Sequence, residues 1–301
     1  VHRWRCDKGQ LLVIIAVAIP AILALLALVV DVGLLAVTKA RLQASADAAA
    51  LAAGMELPNG PTHARMQADN YINLNSNRAE STIEIDENNS SITVHLQQDV
   101  SLLFASILGF DTATPRVRAK ASILPLAGAR GIRPMGIVAQ PFVYGELYTL
   151  REGPGDSVAP RGGNFGSLRL SGNGADKYRL DLAQGYAGVI HIGDIIQTQP
   201  GLMGMNTRKG LADVLAGCNE NWPSISRSCS RLLTMPVIDS FPPGGTGPVT
   251  VVGLAVFFLE SVEGPPDFNV TGRFLEWVAA NGEHSDANTP NYGAYTLRLQ
   301  R

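Results

Sequence analysis

The chain has 301 residues, with 24 Lys and Arg against 26 Asp and Glu and a formal net charge of -2. That near-neutral balance, without a dense basic run, argues against a dedicated nucleic-acid binder, which carries a basic patch. The length allows a membrane anchor plus one or two globular domains.

A short basic head with Arg3, Arg5 and Lys8 leads into residues 11–30, LLVIIAVAIPAILALLALVV, which contain no charge. A bilayer core needs about 20 apolar residues at 1.5 Å rise each, so this run is predicted to span a membrane as a helix. Pro20 lies in its middle; spanning helices tolerate proline, and a kink is expected there. A cleaved signal peptide has a shorter apolar region and a small-residue cleavage site. Here the run passes straight into Asp31-Val32-Gly33-Leu34 and more helix, so an uncleaved anchor is expected. Lys39 and Arg41 follow the span, so the positive-inside bias favours a cytoplasmic N-terminus only slightly. The remaining chain has few positive clusters and is expected outside the cell membrane, on a single-pass anchor.

The alanine-rich stretch continues the helix to about Met55. Gly33, Ala36 and Ala40 are small and at helical spacing, as are Ala44, Ala48 and Ala52. Small faces allow close helix approach. They read either as a packing stripe for a partner helix or as a stalk laid on its own domain. Asp31 reads as a polar contact to a neighbouring helix or a partner's charge, or as the interfacial end of the span. Asp47 reads as a partner for Arg41, a cap or a solvated residue.

Pro58-Asn59-Gly60-Pro61 breaks the helix. A second helix is predicted over 63–75, then strands at 81–86 and 91–97 joined at Asn88-Asn89, which suits a hairpin turn. A short helix over 102–108 should end at Gly109, and a strand should follow at 115–124. Together these make a small α/β sandwich. Residues 126–134 read as a junction. Beyond it, short strands are predicted at 137–138, 147–151, 165–170, 188–191, 249–259 and 295–299, with a brief helix at 211–216. Regular turn signals between them suggest a mainly β domain, barrel or sandwich. The expected class is α+β in three parts: 1–57 head, transmembrane helix and stalk; 58–127 α/β module; 128–301 β-rich domain.

Cys218 and Cys229 flank NENWPSISRS, while Cys6 is on the head. Two cysteines closing a short loop outside the cell suggest a disulfide, the other reading being two buried thiols. No CxxC and no paired histidines support zinc, and the acidic residues lack calcium-loop spacing. No metal and no cofactor are expected. His191 and Asp194 could join a serine in a nucleophilic set, but no GxSxG is present. A strand-edge histidine and a turn aspartate are the preferred reading, and no enzyme activity is expected. The glycine clusters at 162–166 and 172–174 lack a P-loop lysine and read as β turns.

Lys8-Gly9-Gln10 before the apolar run, Asp31-Val32-Gly33 at its end and ARLQASADAAALA from Ala40 follow one another in order. This N-terminal segment resembles TadE/TadG-like proteins of the tight-adherence (Tad, or Flp) pilus assembly systems. VSLLFASILGF from Val100 and RVRAKA from Arg116 are similar to the end of the first outer module in such proteins. The segments 163–166, 185–194 and 252–260 resemble a C-terminal region of some relatives. Prepilins carry a glutamate shortly after the cleavage glycine, whereas Gly9 is followed by QLLVIIAV, which speaks against processing there. The resemblance implies a single-pass, surface-facing component of pilus biogenesis. Its partners would be other Tad or membrane assembly proteins, the lipid bilayer and a second copy of the chain, and not nucleic acid. The competing readings are a surface-anchored binder of wall polymer or host ligand, and a tethered hydrolase.

Overall fold

The computed structural model describes all residues except 1–7, 77, 153–161, 202, 265–267, 280–281 and 285–288. The basic head, with Arg3, Arg5 and Cys6, therefore lies outside the described residues. The chain divides into two compact units, Val1–Ala121 with Leu299–Arg301, and Ser122–Arg298.

In the first unit, α1 (Lys8–Met55) is one helix of 48 residues that runs unbroken through Pro20. From Leu12 to Val30 its large apolar side chains are exposed. From Leu42 onward it buries Leu42, Ala46, Ala49, Ala50 and Ala53, the i, i+4, i+7, i+8, i+11 stripe of a core-facing helix. A short 3-10 turn (Leu57–Asn59) and Gly60 with φ 99° reverse the chain. The helix α2 (Pro61–Ser76) then opens on a proline whose missing N–H costs nothing at a helix start. It buries Ala64, Ala68 and Ile72, also at helical spacing. Alanine on both helices lets them pack closely.

The strands β1 (Glu80–Ile85) and β2 (Ser91–Gln97) form an antiparallel hairpin registered from Glu80 opposite Gln97 to Ile85 opposite Ile92. Asn89, at φ 53°, makes the turn. The Asp86 carboxylate closes it by accepting from the Ser90 and Ser91 amides and the Ser90 hydroxyl. Those bonds hold its pKa below the usual aspartate range against the opposing effect of desolvation. Ile92, Val94 and Leu96 are buried, and β2 packs on α1. A two-residue ladder of β3 (Val100–Ser101) and β4 (Thr112–Ala113) carries the loop between them. The strand β5 (Arg116–Arg130) lies beside β2. It begins in the first unit and ends in the second. The stretch 126–134, expected as a junction, is thus strand as far as Arg130. Its apolar run SILPLAGA continues the pairing potential of the strand.

The second unit contains β6 (Met135–Val138), β7 (Leu147–Glu152), β8 (Gly162–Arg169), α3 (Ala175–Gln184), β9 (Val189–His191), β10 (Ile195–Thr198), α4 (Gly204–Ala216), β11 (Leu232–Ile238), β12 (Pro248–Val262), β13 (Asn269–Leu275), β14 (Trp277–Val278), β15 (Gly282–His284) and most of β16 (Ala294–Gln300). Its pairing closes on itself: β12 pairs β11, β11 pairs β6, β6 pairs β8, β8 pairs β7, β7 pairs β13, and β13 returns to β12. The result is a six-stranded barrel, parallel at β11–β6 and β7–β8, with β10 bridging β12 and β8. Of the two expected architectures, barrel and sandwich, the pairing is a barrel.

One core cluster joins Met135, Phe165, Met235, Phe257 and Phe274 to Tyr178 and Leu182 of α3 and Leu211 and Val214 of α4. A second holds Leu126, Ile190, Ile196, Val249, Val251 and Leu254. The strand β12 feeds both, so both its faces are buried. That explains its nearly continuous apolar run, which a half-solvated strand would interrupt.

Candidate functional site

The most organised polar site of the first unit is built around Asp31. It occupies the position just after the apolar run, and its side chain is buried. Its carboxylate accepts three backbone N–H groups of the loop between β3 and β4: Leu103 to Oδ1 at 2.9 Å, Phe104 to Oδ2 at 3.0 Å and Ala105 to Oδ2 at 2.7 Å. These amides start a 3-10 turn, Ala105–Leu108, so Asp31 does for it what a cap residue does for a helix. The Ser106 hydroxyl donates to the Leu103 carbonyl at 3.0 Å. Gly109 ends the turn at φ 88°, a left-handed conformation that a β-carbon would strain. The sequence expectation of a helix over 102–108 becomes this shorter turn: the Leu102 amide pairs with the Asp111 carbonyl, and those of Leu103, Phe104 and Ala105 with the carboxylate.

The loop's large apolar side chains are exposed, and Asp31 shares a groove with Phe104 and Ile107. Leu103, Phe104, Ile107 and Phe110 are 62%, 42%, 81% and 66% exposed. Phe104 and Ile107 border a groove of about 500 Å³ whose other wall is α1 at Leu23, Ala27 and Val30.

The small residues Gly33, Ala36, Ala40 and Ala44 lie exposed on α1, whereas the buried alanines are Ala46, Ala49, Ala50 and Ala53. Of the alanines singled out in the sequence, Ala48 and Ala52 are half-buried, and the face packed in the module is made by four others. Asp47 is buried; the cation that meets it is Arg301, not Arg41. Arg301 reaches its Oδ2 with Nη2 at 2.7 Å and Nε at 2.9 Å, and Gln43 donates to Oδ1 at 2.8 Å.

In the second unit, Cys218 and Cys229 are joined as a disulfide, Sγ–Sγ 2.05 Å. Closing so short a loop contributes about 2–3 kcal/mol in the chain-entropy model. Glu220 lies close to both sulfurs, but a bonded pair offers no thiolate for a metal. Glu220 instead accepts from the Ser226 amide, which lowers its pKa. His191 ends β9. Its amide donates to Asp194 Oδ2 at 2.8 Å and its Nε2 stands 3.1 Å from Glu283 Oε2. It is thus flanked by two carboxylates at an exposed strand end.

Sequence reasoning did not single out Glu152. It ends β7, and its Oε1 accepts from Ser167 Oγ at 2.9 Å and from the Met203 amide at 2.6 Å. Burial raises its pKa above the ordinary glutamate value, against both of those bonds. A cavity of about 210 Å³ adjoins it, bordered by Ser167, Thr198, Gln199 and Phe241. Neither neighbour stands at a motif spacing, so only the folded barrel brings them to Glu152.

Residues 9–56 match a TadE/G-like family model. The family is described as "Putative Flp pilus-assembly TadE/G-like". The TadE/G-like segment coincides with α1 almost end to end, and Asp31 and Asp47 both lie in it. Within it, the apolar run is long enough to cross a membrane. No curated protein and no solved structure matches the chain.

Proposed function

We propose that this chain is a membrane-anchored structural or assembly component of a Tad/Flp-type pilus. The helix α1 is its anchor and its docking element, and the two units behind it face outward and meet partners. The observation that carries this reading is the coincidence of the TadE/G-like match at residues 9–56 with a single helix whose first half is apolar and exposed. Exposed apolar side chains over some 30 Å of helix are unfavourable in water and suit a hydrocarbon core. The helix would cross the cell membrane once with its N-terminus in the cytoplasm. Its exposed face of Gly33, Ala36 and Ala40 would meet helices of other pilus assembly proteins or of a second copy. No chemistry is assigned to the outer units; their role is interaction.

Deleting the gene and counting surface pili by electron microscopy tests this, with a complemented strain as control. Loss of pili, restored on complementation, is the expected result. Unchanged pili would reject an assembly role. The same strains tested for retention on purified wall material would then examine the reading as a surface-anchored binder.

A further inference from the structure

The loop between β3 and β4 leaves Leu103, Phe104, Ile107 and Phe110 exposed, yet its backbone is held by Asp31. Asp31 stands eleven residues before Leu42, where α1 first buries a large side chain in its own module. At 1.5 Å per residue, the loop meets the helix about 16 Å further toward the apolar end than the module's core does. It then runs beside the helix, with Phe104 and Ile107 facing Leu23, Ala27 and Val30 across the groove. Leu23 lies eight residues inside the run, so the loop flanks roughly the last 12 Å of it.

Two features fit such a depth. Backbone N–H groups at the level of hydrocarbon must be satisfied within the protein, since no water replaces a missing partner. Asp31 satisfies three successive ones. Meanwhile Leu103, Phe104, Ile107 and Phe110 make an exposed apolar edge continuous with the exposed side chains of the span. A soluble surface rarely leaves four large apolar residues together uncovered.

We infer that this loop is a second membrane contact: an apolar finger, fixed by Asp31, that enters the outer leaflet beside the span and whose occupant is lipid. The groove between finger and helix takes an acyl chain. This rests on the reading of α1 as a membrane anchor. The finger adds a contact at the boundary of headgroups and acyl chains, where short apolar elements bind, and fixes the rotation of α1 about its axis relative to the bilayer surface.

The test uses the full chain with Cys6→Ser and the native disulfide intact, reconstituted in phosphatidylcholine–phosphatidylglycerol nanodiscs. An environment-sensitive fluorophore is attached singly through Ile107→Cys, Asn89→Cys or Leu23→Cys. Quenching by nitroxide lipids, labelled near the headgroup for positions 107 and 89 and deep in the acyl chain for position 23, is compared with bleaching by aqueous dithionite. Expected are strong lipid quenching at 107 and bleaching roughly tenfold slower than at 89, the turn of the β1–β2 hairpin. With Asp31→Ala added, quenching at 107 should fall while quenching at 23 stays. Bleaching at 107 as fast as at 89 would overturn the finger while leaving the anchor intact. Protection at 107 without lipid quenching would overturn it too, by assigning the edge to a protein partner. Absence of lipid quenching at 23 would reject the anchor reading itself, and the finger with it.

Discussion

Buried Asp47 and half-buried Glu152 meet opposite electrostatic surroundings. Asp47 is bound by Arg301, a cation 254 residues away, and by Gln43. Arg301 is itself largely exposed, so the pair is worth little more than a surface bridge, and Arg301→Ala should cost the first unit about 1 kcal/mol in denaturant unfolding. Glu152 has no such cation among its described bonds, and burial favours its protonated form. Below the ordinary value of 4.5 folded and unfolded chains both hold the proton, and no penalty exists. As pH rises past that value the unfolded chain releases its proton first. Folding is then disfavoured by a growing amount until the folded carboxyl also ionises. Both native bonds fall on Oε1, which Glu152→Gln retains. Thermal unfolding of the full chain should therefore show Glu152→Gln more stable than the parent at neutral pH, with the gain vanishing below about pH 4. Asp31 differs from both: its role as acceptor for Leu103–Ala105 was not legible in the sequence. Backbone amides carry no residue code, and those three stand more than seventy positions away.

At the scale of elements, legibility followed periodicity. The helix α1 was readable from its long uncharged apolar run, and the strand β2 because apolar Ile92, Val94 and Leu96 alternate with polar residues, although Ser91 and Thr93 are buried as well. The strand β11, LLTMPVI, was missed: nearly every residue is buried, so no alternation remains, and Pro236 interrupts the run. The helix α3 was missed because glycines on either side of it read as turns. One of its three buried residues is Asp181, whose carboxylate accepts from the Ser171 amide and hydroxyl. The two alanine faces of α1 were indistinguishable by composition; only the fold separates them. Ala49 is fully buried where α1 packs in its own module. Ala49→Leu inserts three carbons there and should destabilise the first unit by roughly 1–3 kcal/mol, seen as a lower denaturant midpoint.

At the scale of the whole molecule, the exposed face of α1 is where stability and assembly can be separated. Ala40 is exposed, so Ala40→Leu should leave unfolding within about 0.5 kcal/mol of the parent. If that face meets a partner helix, the same substitution should sharply reduce the number of surface pili at unchanged protein level. Unchanged piliation would move the docking role to another surface. The closed pairing of the second unit bears on the same question. The barrel itself has no open edge to offer a neighbouring strand, but the sheet β1-β2-β5-β16-β14 is open, with β1 at one end and β14 at the other. Association of outer units through strands would then fall to the edges β1 or β14 and not to the barrel.

The unbroken course of α1 has a mechanical consequence. The helix has no break between the apolar run and Met55, so the part beyond Asp31 is a lever about 36 Å long. A lean of about 20° in the span would swing its far end sideways by about 12 Å, and such leans respond to bilayer thickness. The bearing of the outer module would then be set by the lipid around its root, as the hand of a gauge is set by the spindle beneath it.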